Sequence, residues 1–204
     1  MQVYGSKVTT KAISEETRKK ILEAAWALFA ERGEVGVSQV EIAQATGVSR
    51  QTLFLAFGDR AGLLRAMLQH KDTLSDHAQR LGFAGGLPPS DPESLLASVQ
   101  AWLDYLPIIY PVGILLDAAA LTDPAARAAW DDRMKGALLA GWRARAKAAH
   151  AAGNLQGNPD RVAEEIWALC HPSAWRLLVA ECGWSADEFR QSRIDLVRAC
   201  LNRG

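Results

Sequence analysis

The chain has 204 residues, of which 49% are hydrophobic and 23% are charged, so it is long enough to bury a core without disulfides or structural metals. Its 23 Lys and Arg residues balance 23 Asp and Glu residues, which excludes a strongly basic coat. Three cysteines without a CxxC pair, no signal peptide and no apolar run of about 20 residues predict a reduced, cytoplasmic protein with no membrane partner.

The N-terminal part predicts a flexible arm over residues 1–13 and then a helix. Ser14 is the expected N-cap of this helix, and the acidic pair that follows it favours the positive end of the helix dipole. Apolar residues then recur at helical spacing, and Gly33 is the expected end of the helix.

Two short helices with a tight turn between them are predicted next. Ser38 and Glu41 have the spacing of a capping box at the start of the first short helix. Gly47 interrupts the helical pattern, Ser49 is the expected cap of the second short helix, and Gly58 ends it. This arrangement predicts a helix-turn-helix.

A larger helical region follows, beginning with a helix from Asp59 to about Arg80. The stretch Gly82–Pro92 is rich in glycine and proline and predicts a linker. Five further helices are predicted over residues 93–106, 108–121, 124–152, 159–182 and 186–202. No stretch alternates like a strand, so the predicted fold class is all-α.

Prolines are expected to disturb two of these helices. Pro107 and Pro111 lie close together and should kink or break the second of the five, and Pro172 should kink the fourth.

The helix-turn-helix interpretation has specific physical requirements, and the sequence meets them. Ala43 supplies the small residue where the helices cross, and Gly47 tolerates the positive φ of the turn. Three apolar residues are placed to hold the helices on the scaffold: Ile42, Val48 and Leu53. Three polar residues open the second helix, where a major groove is read: Arg50, Gln51 and Thr52. The simpler alternative is a three-helix bundle with ordinary surface residues.

The segments RKKILEAAWALFAERG at 18–33 and IAQATGVSRQTLFLAFGDRAGLL at 42–64 resemble the N-terminal domain of the TetR family of bacterial regulators. The phrase GNLQGNPDRVAEEIWALCHPSAW at 153–175 is more loosely similar to late helices of the family. The resemblance implies a three-helix DNA-binding domain over residues 14–58 and a helical effector-binding and dimerisation domain over residues 59–204. It also implies a homodimer on a palindromic operator in double-stranded DNA, usually a repressor that an unknown small-molecule effector releases.

The resemblance assigns roles where positions match. Arg50 and Gln51 read bases, while Thr52 and Arg60 contact phosphates. Phe54 stands where tyrosine is usual and Ala56 where histidine is frequent. The predicted DNA-binding set is Ser38, Gln39, Ser49, Arg50, Gln51, Thr52, Phe54 and Arg60.

Six of the seven tryptophans lie in the larger region. Core packing is the simpler interpretation for most of them, but some are expected to line an apolar cavity between the helix after Gly58 and the aromatic-rich helices. The predicted ligand-binding set is Met67, His70, Leu74, Trp102, Tyr105, Tyr110, Trp142, Trp167 and His171. Asp104, Asp117 or His171 would orient one polar group of the ligand.

The last two helices are expected to pair with those of a second copy, because both carry apolar stripes. The stripe residues are Val162, Ile166, Leu169, Cys170, Leu177 and Leu178 on one helix, and Phe189, Ile194, Leu196, Val197 and Cys200 on the other.

No phosphate loop, zinc spacing or hydrolase elbow is present, so we expect no enzyme activity, no cofactor and no metal. His70 and His77 are expected to be solvated surface residues. The alternative function is a helical ligand- or protein-binding module in which DNA affinity has weakened.

Overall fold

The computed structural model describes residues 13–32, 37–82 and 88–202, and these parts of the chain are helical with no strand among them. The all-α prediction is confirmed. The helices are α1 (Glu15–Arg32), α2 (Gln39–Thr46), α3 (Arg50–Phe57), α4 (Arg60–Thr73), α5 (His77–Leu81), α6 (Pro92–Ala119), α7 (Pro124–Asp131), α8 (Ala140–Ala151), α9 (Pro159–Leu169), α10 (Pro172–Trp175) and α11 (Ala186–Leu201). Two π-helical segments continue α7 and α10, over Asp132–Leu139 and Arg176–Glu181.

The N-terminal head consists of α1, α2 and α3, and its local geometry follows the predicted caps. The Ser38 hydroxyl accepts from the Glu41 amide while the Glu41 carboxylate accepts from the Ser38 amide, which completes the capping box. Gly47 has φ of 70°, the left-handed conformation that the turn requires. Ser49 accepts from the amide of Thr52 and so caps α3. These bonds satisfy amides that a helix start leaves without partners.

The helix predicted from Asp59 to Arg80 is two helices. α4 ends at Thr73, and α5 begins only at His77. The Ser75 hydroxyl accepts from the amide of His77, a local bond that competes with the helical ladder. The prediction was wrong because this side-chain competition is not visible in the apolar spacing.

The predicted boundary between helices 93–106 and 108–121 is wrong, because Pro107 and Pro111 both lie inside the single long helix α6. A proline inside a helix costs about 3 kcal/mol. Half of the 28 residues of α6 are buried, and burying one large apolar side chain contributes about 1.5–3 kcal/mol, so packing outweighs the two prolines.

α6 is also the one described helix long and apolar enough, by length and composition, to cross a membrane. Since 61% of its apolar window is buried inside the protein, it has the character of a core helix.

The remaining differences concern helix continuity. The run predicted over 124–152 is helical to Ala151 but has a π-helical middle, and Pro172 begins a new helix instead of kinking a long one.

Of the predicted arm, residues 1–12 lie outside the described residues, as do Gly33 and residues 83–87 of the linker. Ile13 packs against the core.

The head joins the rest of the chain through α4. Six of its residues are buried, and α4 packs against α1, α3, α6 and α7. At its start, a Cβ on Gly62 would lie 2.0 Å from the backbone oxygen of Phe57. Glycine at position 62 therefore permits α3 and α4 to approach as closely as they do.

We expect Gly62→Ala to lower the free energy of unfolding by about 1–3 kcal/mol, the usual cost of overpacking, because the obstructing atom is backbone. The matched control is Gly136→Ala in an exposed helical position, where the new Cβ would meet only a side-chain oxygen at 3.4 Å and a backbone oxygen at 3.8 Å. That control should be neutral or stabilised by up to about 1 kcal/mol. Urea unfolding measures both, and equal stabilities for the two variants would contradict the prediction.

Candidate nucleic-acid interface and ligand cavity

The outer face of α3 presents polar and apolar side chains together. Arg50 and Gln51 are exposed at its first turn. Phe54 and Leu55 follow, with 61% and 56% of their surface exposed. Leu53, on the opposite face, is buried in the core. α3 therefore offers a guanidinium, an amide and an aromatic ring to any molecule that meets this face.

Four further residues of the predicted DNA-binding set lie at the starts of α2 and α3. Ser38 and Ser49 are N-caps, and Gln39 is half-buried in the first turn of α2. The Thr52 hydroxyl lies 2.8 Å from that of Ser49. Their side chains thus lie at the N-terminal ends of α2 and α3, where helix dipoles favour anions.

Arg60 ties α4 to the head while remaining exposed. It donates from Nη1 to the carbonyl of Val37, and its guanidinium lies 5.5 Å from the centre of the Phe29 ring. Arg18 of α1 connects α1 to α3 in a similar way. It donates to the carbonyl of Ala56, and its guanidinium lies over the Phe57 ring. Both cations therefore belong to the packing of the head, a role that the sequence did not indicate.

The Glu41 carboxylate stays ionised in the capping box. The backbone amide of Ser38, with Arg32 and the Ser38 hydroxyl, lowers the pKa of Glu41 to about 2. The anion at the start of α2 is thus held over the physiological pH range.

A cavity of about 300 Å³ lies where α4, α5, α6 and the first π-helical segment meet. Its walls are Asp72, His77, Ala78, Leu81, Trp102, Arg133, Ala137 and Leu138. A second cavity of similar volume lies between α4, α6 and α7, and it shares Asp72, Arg133 and Ala137 with the first. The two cavities thus have a common wall made by an ion pair.

That ion pair is the centre of a polar network. Arg133 donates to both carboxylate oxygens of Asp72, at 2.6 and 2.8 Å. The Tyr105 hydroxyl donates to Asp72 at 2.7 Å. The His77 ring stacks on Tyr105 with centroids 3.6 Å apart, and its Nε2 lies 3.5 Å from Asp72.

Burial and charge set the ionisation of this network. Burial raises the pKa of Tyr105, and the Asp72 carboxylate raises it further. Burial by itself would lower the pKa of Arg133, but its bonds to Asp72 outweigh this and raise it. Burial also lowers the pKa of His77, against the attraction of Asp72. The network therefore consists of one anion, one cation, a neutral phenol and a neutral imidazole at pH 7.

The structure brings only part of the predicted ligand-binding set to this cavity. Trp102 lines it, Tyr105 lies next to it through His77, and Met67 is buried in α4. Leu74 is 59% exposed at the end of α4. His70 faces Glu23 of α1, with its Nε2 3.7 Å from that carboxylate.

The other predicted aromatics lie away from this cavity. Trp142 is buried in the core and donates to the Ser98 hydroxyl. Tyr110, Trp167 and His171 are half-buried, with Tyr110 near Trp175 and Trp167 near His171. The indole of Trp102, on the cavity wall, donates to the carbonyl of Cys170.

The sequence missed Asp72, His77 and Arg133 as cavity residues. His77 was expected on the solvated surface, but its side chain is only 8% exposed. The break before α5 turns it inward, and no periodic pattern signals that. For Arg133 the only sequence signal is a charged residue within an alanine-rich helical run.

Asp104 and Asp117, expected to orient a ligand, have other partners. Asp104 forms ion pairs with Arg80 and Arg190. The Ser173 hydroxyl donates to Asp117 and lies 2.9 Å from Nδ1 of His171. Here serine lies between the acid and the imidazole, whereas activation of a serine nucleophile needs imidazole between the other two. Within the described residues, no group of three or more His, Cys, Asp or Glu side chains is suited to a metal.

The stripe residues predicted for self-association lie mostly inside the protomer. Those already buried are Ile166, Cys170, Phe189, Ile194, Val197 and Cys200. Leu177 and Leu196 remain 46% and 41% exposed. Leu196 and Trp184 both line a shallow groove on the surface. The apolar spacing did not distinguish the face that packs internally from the outer one.

Residues 21–67 match the family profile described as "Bacterial regulatory proteins, tetR family". Over 71 residues, 35% of this chain and 34% of its relative, the chain is 35% identical to the HTH-type transcriptional regulator TtgR of Pseudomonas putida. Over 118 residues, 57% of this chain and 59% of its relative, it is 33% identical to the HTH-type transcriptional repressor LfrR of Mycolicibacterium smegmatis. The chain thus matches between a third and three fifths of the length of these relatives.

A solved structure from Rhodococcus sp., assigned to the TetR-family transcriptional regulators, superposes with a TM-score of 0.70 over 92% of this chain and 100% of that one. The two are 24% identical, so this likeness establishes the shared fold.

Lowering the pH from 7.5 to 5.5 should decrease the free energy of unfolding. Burial lowers the pKa of His77 and of His171, so the unfolded chain takes up protons first as pH falls below about 6.5. The contribution of these two histidines to the free energy of unfolding is fully present above that pH. It decreases as the pH falls from there to the pKa values of the folded state. Urea unfolding of the wild type and of His77→Phe should give a shallower pH dependence in the variant. Identical slopes would rule out a titrating role for His77.

Proposed function

Since this chain belongs to the TetR family of bacterial regulatory proteins, we propose that it is a DNA-binding transcriptional repressor that a small molecule releases from its operator. The observation that carries the proposal is the exposure of Arg50 and Gln51 at the start of α3, in a head whose caps and turn hold that helix outward. Its relatives are transcriptional regulators, and one of them is named a repressor, so a role in transcription and not in catalysis is proposed.

In this proposal, the domain over residues 14–58 reads a palindromic operator in double-stranded DNA. Arg50 and Gln51 contact base edges, with guanine and adenine as their favoured partners. Phe54 contacts a thymine methyl group, and the residues at the two helix starts hold phosphates. The site of action is the cytoplasm, where the DNA is.

A homodimer is part of the proposal because one head reads too few base pairs for useful specificity. The outer faces of α9, α11 and the segment Arg176–Glu181 supply the contact in the proposed dimer, since Leu177 and Leu196 stay exposed there. A two-fold contact places the recognition helices about 34–36 Å apart, on successive major grooves.

The effector proposal concerns the domain over residues 59–204 and the cavity at the end of α4. One solved structure of the same fold, 19% identical to this chain, is described as AibR in complex with isovaleryl coenzyme A and operator DNA. A ligand that prefers one position of α4 weakens DNA binding. The loss of DNA affinity is no larger than the ligand's difference in affinity for the two conformations.

Selection from a pool of random duplexes, followed by gel shift, tests the proposal. The repressor function requires enrichment of one palindrome, bound by the full chain. Failure to enrich any sequence would favour a ligand- or protein-binding module instead.

We expect Arg50→Ala to weaken binding to the selected palindrome by about 1–3 kcal/mol and to relax its sequence preference, because a bidentate base contact is lost. Arg127→Ala, which removes an equal charge from an exposed position on α7, is the control and should bind as the wild type does. Unchanged affinity and preference in Arg50→Ala would mean that α3 is not the recognition helix.

Arg60→Ala should weaken binding to all duplexes alike and reduce the slope of log K against log salt concentration by about one unit. Arg60→Lys keeps the charge and should keep most of that slope. Because Arg60 also donates to Val37, the thermal midpoint of each variant must be measured alongside. A loss of stability without any change in slope would limit Arg60 to a structural role.

The double variant Leu177→Glu with Leu196→Glu should be monomeric at micromolar concentration in sedimentation equilibrium, because two buried charges per subunit would oppose the contact. Leu74→Glu is the control: it is exposed as well, but lies at the end of α4. A wild-type monomer, or an unaltered dimer in the double variant, would contradict the proposed dimer contact.

A further inference from the structure

The outer face of α3 carries two large apolar side chains that the packing of the head leaves exposed, those of Phe54 and Leu55. Residues four apart lie on one face of an α-helix. Phe54 therefore lies one turn beyond Arg50, and Leu55 lies one turn beyond Gln51. The face that begins with two polar side chains thus continues with two apolar ones.

The second turn of α3 is held in place by hydrogen bonds to its backbone. The amide of Gly58 donates to the carbonyl of Phe54 at 2.7 Å. Nη1 of Arg18 donates to the carbonyl of Ala56 at 3.0 Å. Phe54 and Leu55 therefore project from an ordered turn of helix, which lowers the entropy cost of any contact that they make with a partner.

The major groove of DNA offers one apolar group to such side chains. The groups that distinguish the base pairs there are hydrogen-bond donors and acceptors, apart from the C5-methyl group of thymine. Leucine and phenylalanine cannot bond to a donor, an acceptor or a phosphate, so contact with any of these would displace water without replacing its hydrogen bonds. Contact with a methyl group removes apolar surface of both partners from water and is favourable.

We propose that Leu55 is a specificity-determining residue, which reads a second 5-methyl group beside the one that Phe54 contacts in each operator half-site. A recognition helix lies in the major groove. One helical turn spans about 5.4 Å and the phosphates of one strand are about 3.4 Å apart, so the second turn of α3 meets other base pairs than Arg50 and Gln51 do. The inference rests on the proposed function, since it extends the same DNA site.

The methyl contact has a consequence for modified DNA. 5-Methylcytosine carries a methyl group at the same ring position as thymine. Leu55 makes no hydrogen bond that would tell the two bases apart. It therefore favours 5-methylcytosine over cytosine at its position, as it favours thymine over uracil.

Uracil in place of thymine tests the contact, because it removes the methyl group and keeps both the base pairing and the hydrogen-bonding edge. The probes are the selected palindrome and versions in which one thymine position at a time is replaced by uracil in both half-sites, bound to the full chain in gel shifts. We expect two positions at which uracil weakens binding by about three- to fivefold for each half-site. At the Leu55 position, a 5-methylcytosine–guanine pair should bind more tightly than a cytosine–guanine pair.

Leu55→Ala should abolish the uracil effect at one of the two positions and preserve it at the other, and Phe54→Ala should do the reverse. The slope of log K against log salt concentration should not change in Leu55→Ala, because no phosphate contact is lost. Leu121→Ala is the matched control: it truncates an exposed leucine beyond the end of α6 and should keep both uracil effects.

The proposal is overturned if the selected half-site contains no thymine, or if uracil changes the affinity at no position. It is also overturned if every uracil effect persists in Leu55→Ala, or if that variant changes the salt slope instead. In each of these cases a palindrome is still selected and bound, so the proposed function stands. Failure to select any palindrome would refute the proposed function and this inference with it.

Discussion

The carboxylate of Asp72 holds together four helical segments around the cavity. It lies in the last turn of α4, accepts hydrogen bonds from Arg133 and Tyr105, and faces the imidazole of His77. These partners belong to the first π-helical segment, α6 and α5. A hydrogen bond to a charged group contributes about 1.5–3 kcal/mol, and removing one partner leaves the others with an unmatched charge. Any displacement of this end of α4 must therefore disturb the hydrogen bonds and the ion pair of Asp72.

The N-terminal end of α4 packs tightly against the head. Gly62 allows contact with the backbone of Phe57, and Arg60 reaches Val37. The helix has 14 residues and so spans about 20 Å as one rigid element. The buried apolar face of α4 leaves little room for internal bending, so the helix joins the Asp72 end to the head as one packed element.

Local signals in the sequence predicted the head well, because capping and turn chemistry act over four residues. Ser38, Gly47 and Ser49 adopt the geometry their residue types favour. Tertiary packing decided the rest: burial along α6 overrides two prolines, and a serine hydroxyl ends the pattern that predicted a single helix to Arg80. The apolar stripes predicted for self-association show the same limit, since periodicity identifies an apolar face but not what covers it.

The cavity was the hardest feature to predict, and the reason is physical. Its polar atoms come from positions 72, 77 and 133, and each of these residues looks like an ordinary surface residue because it is charged or titratable. Position 133 is also far from the other two in sequence, so no local pattern groups the three. Only the turn before α5 and the ion pair across to the π-helical segment bring them together.

Unpaired buried nitrogens are not confined to the cavity. The indole nitrogens of Trp102 and Trp142 have hydrogen-bond partners, whereas that of Trp167 has none among the described residues. His77 and Arg133 occupy their positions because both face the Asp72 carboxylate, and removing either would leave that half-buried charge with fewer partners. The polar residues around the cavity are thus accounted for by the packing of α4 against its neighbours.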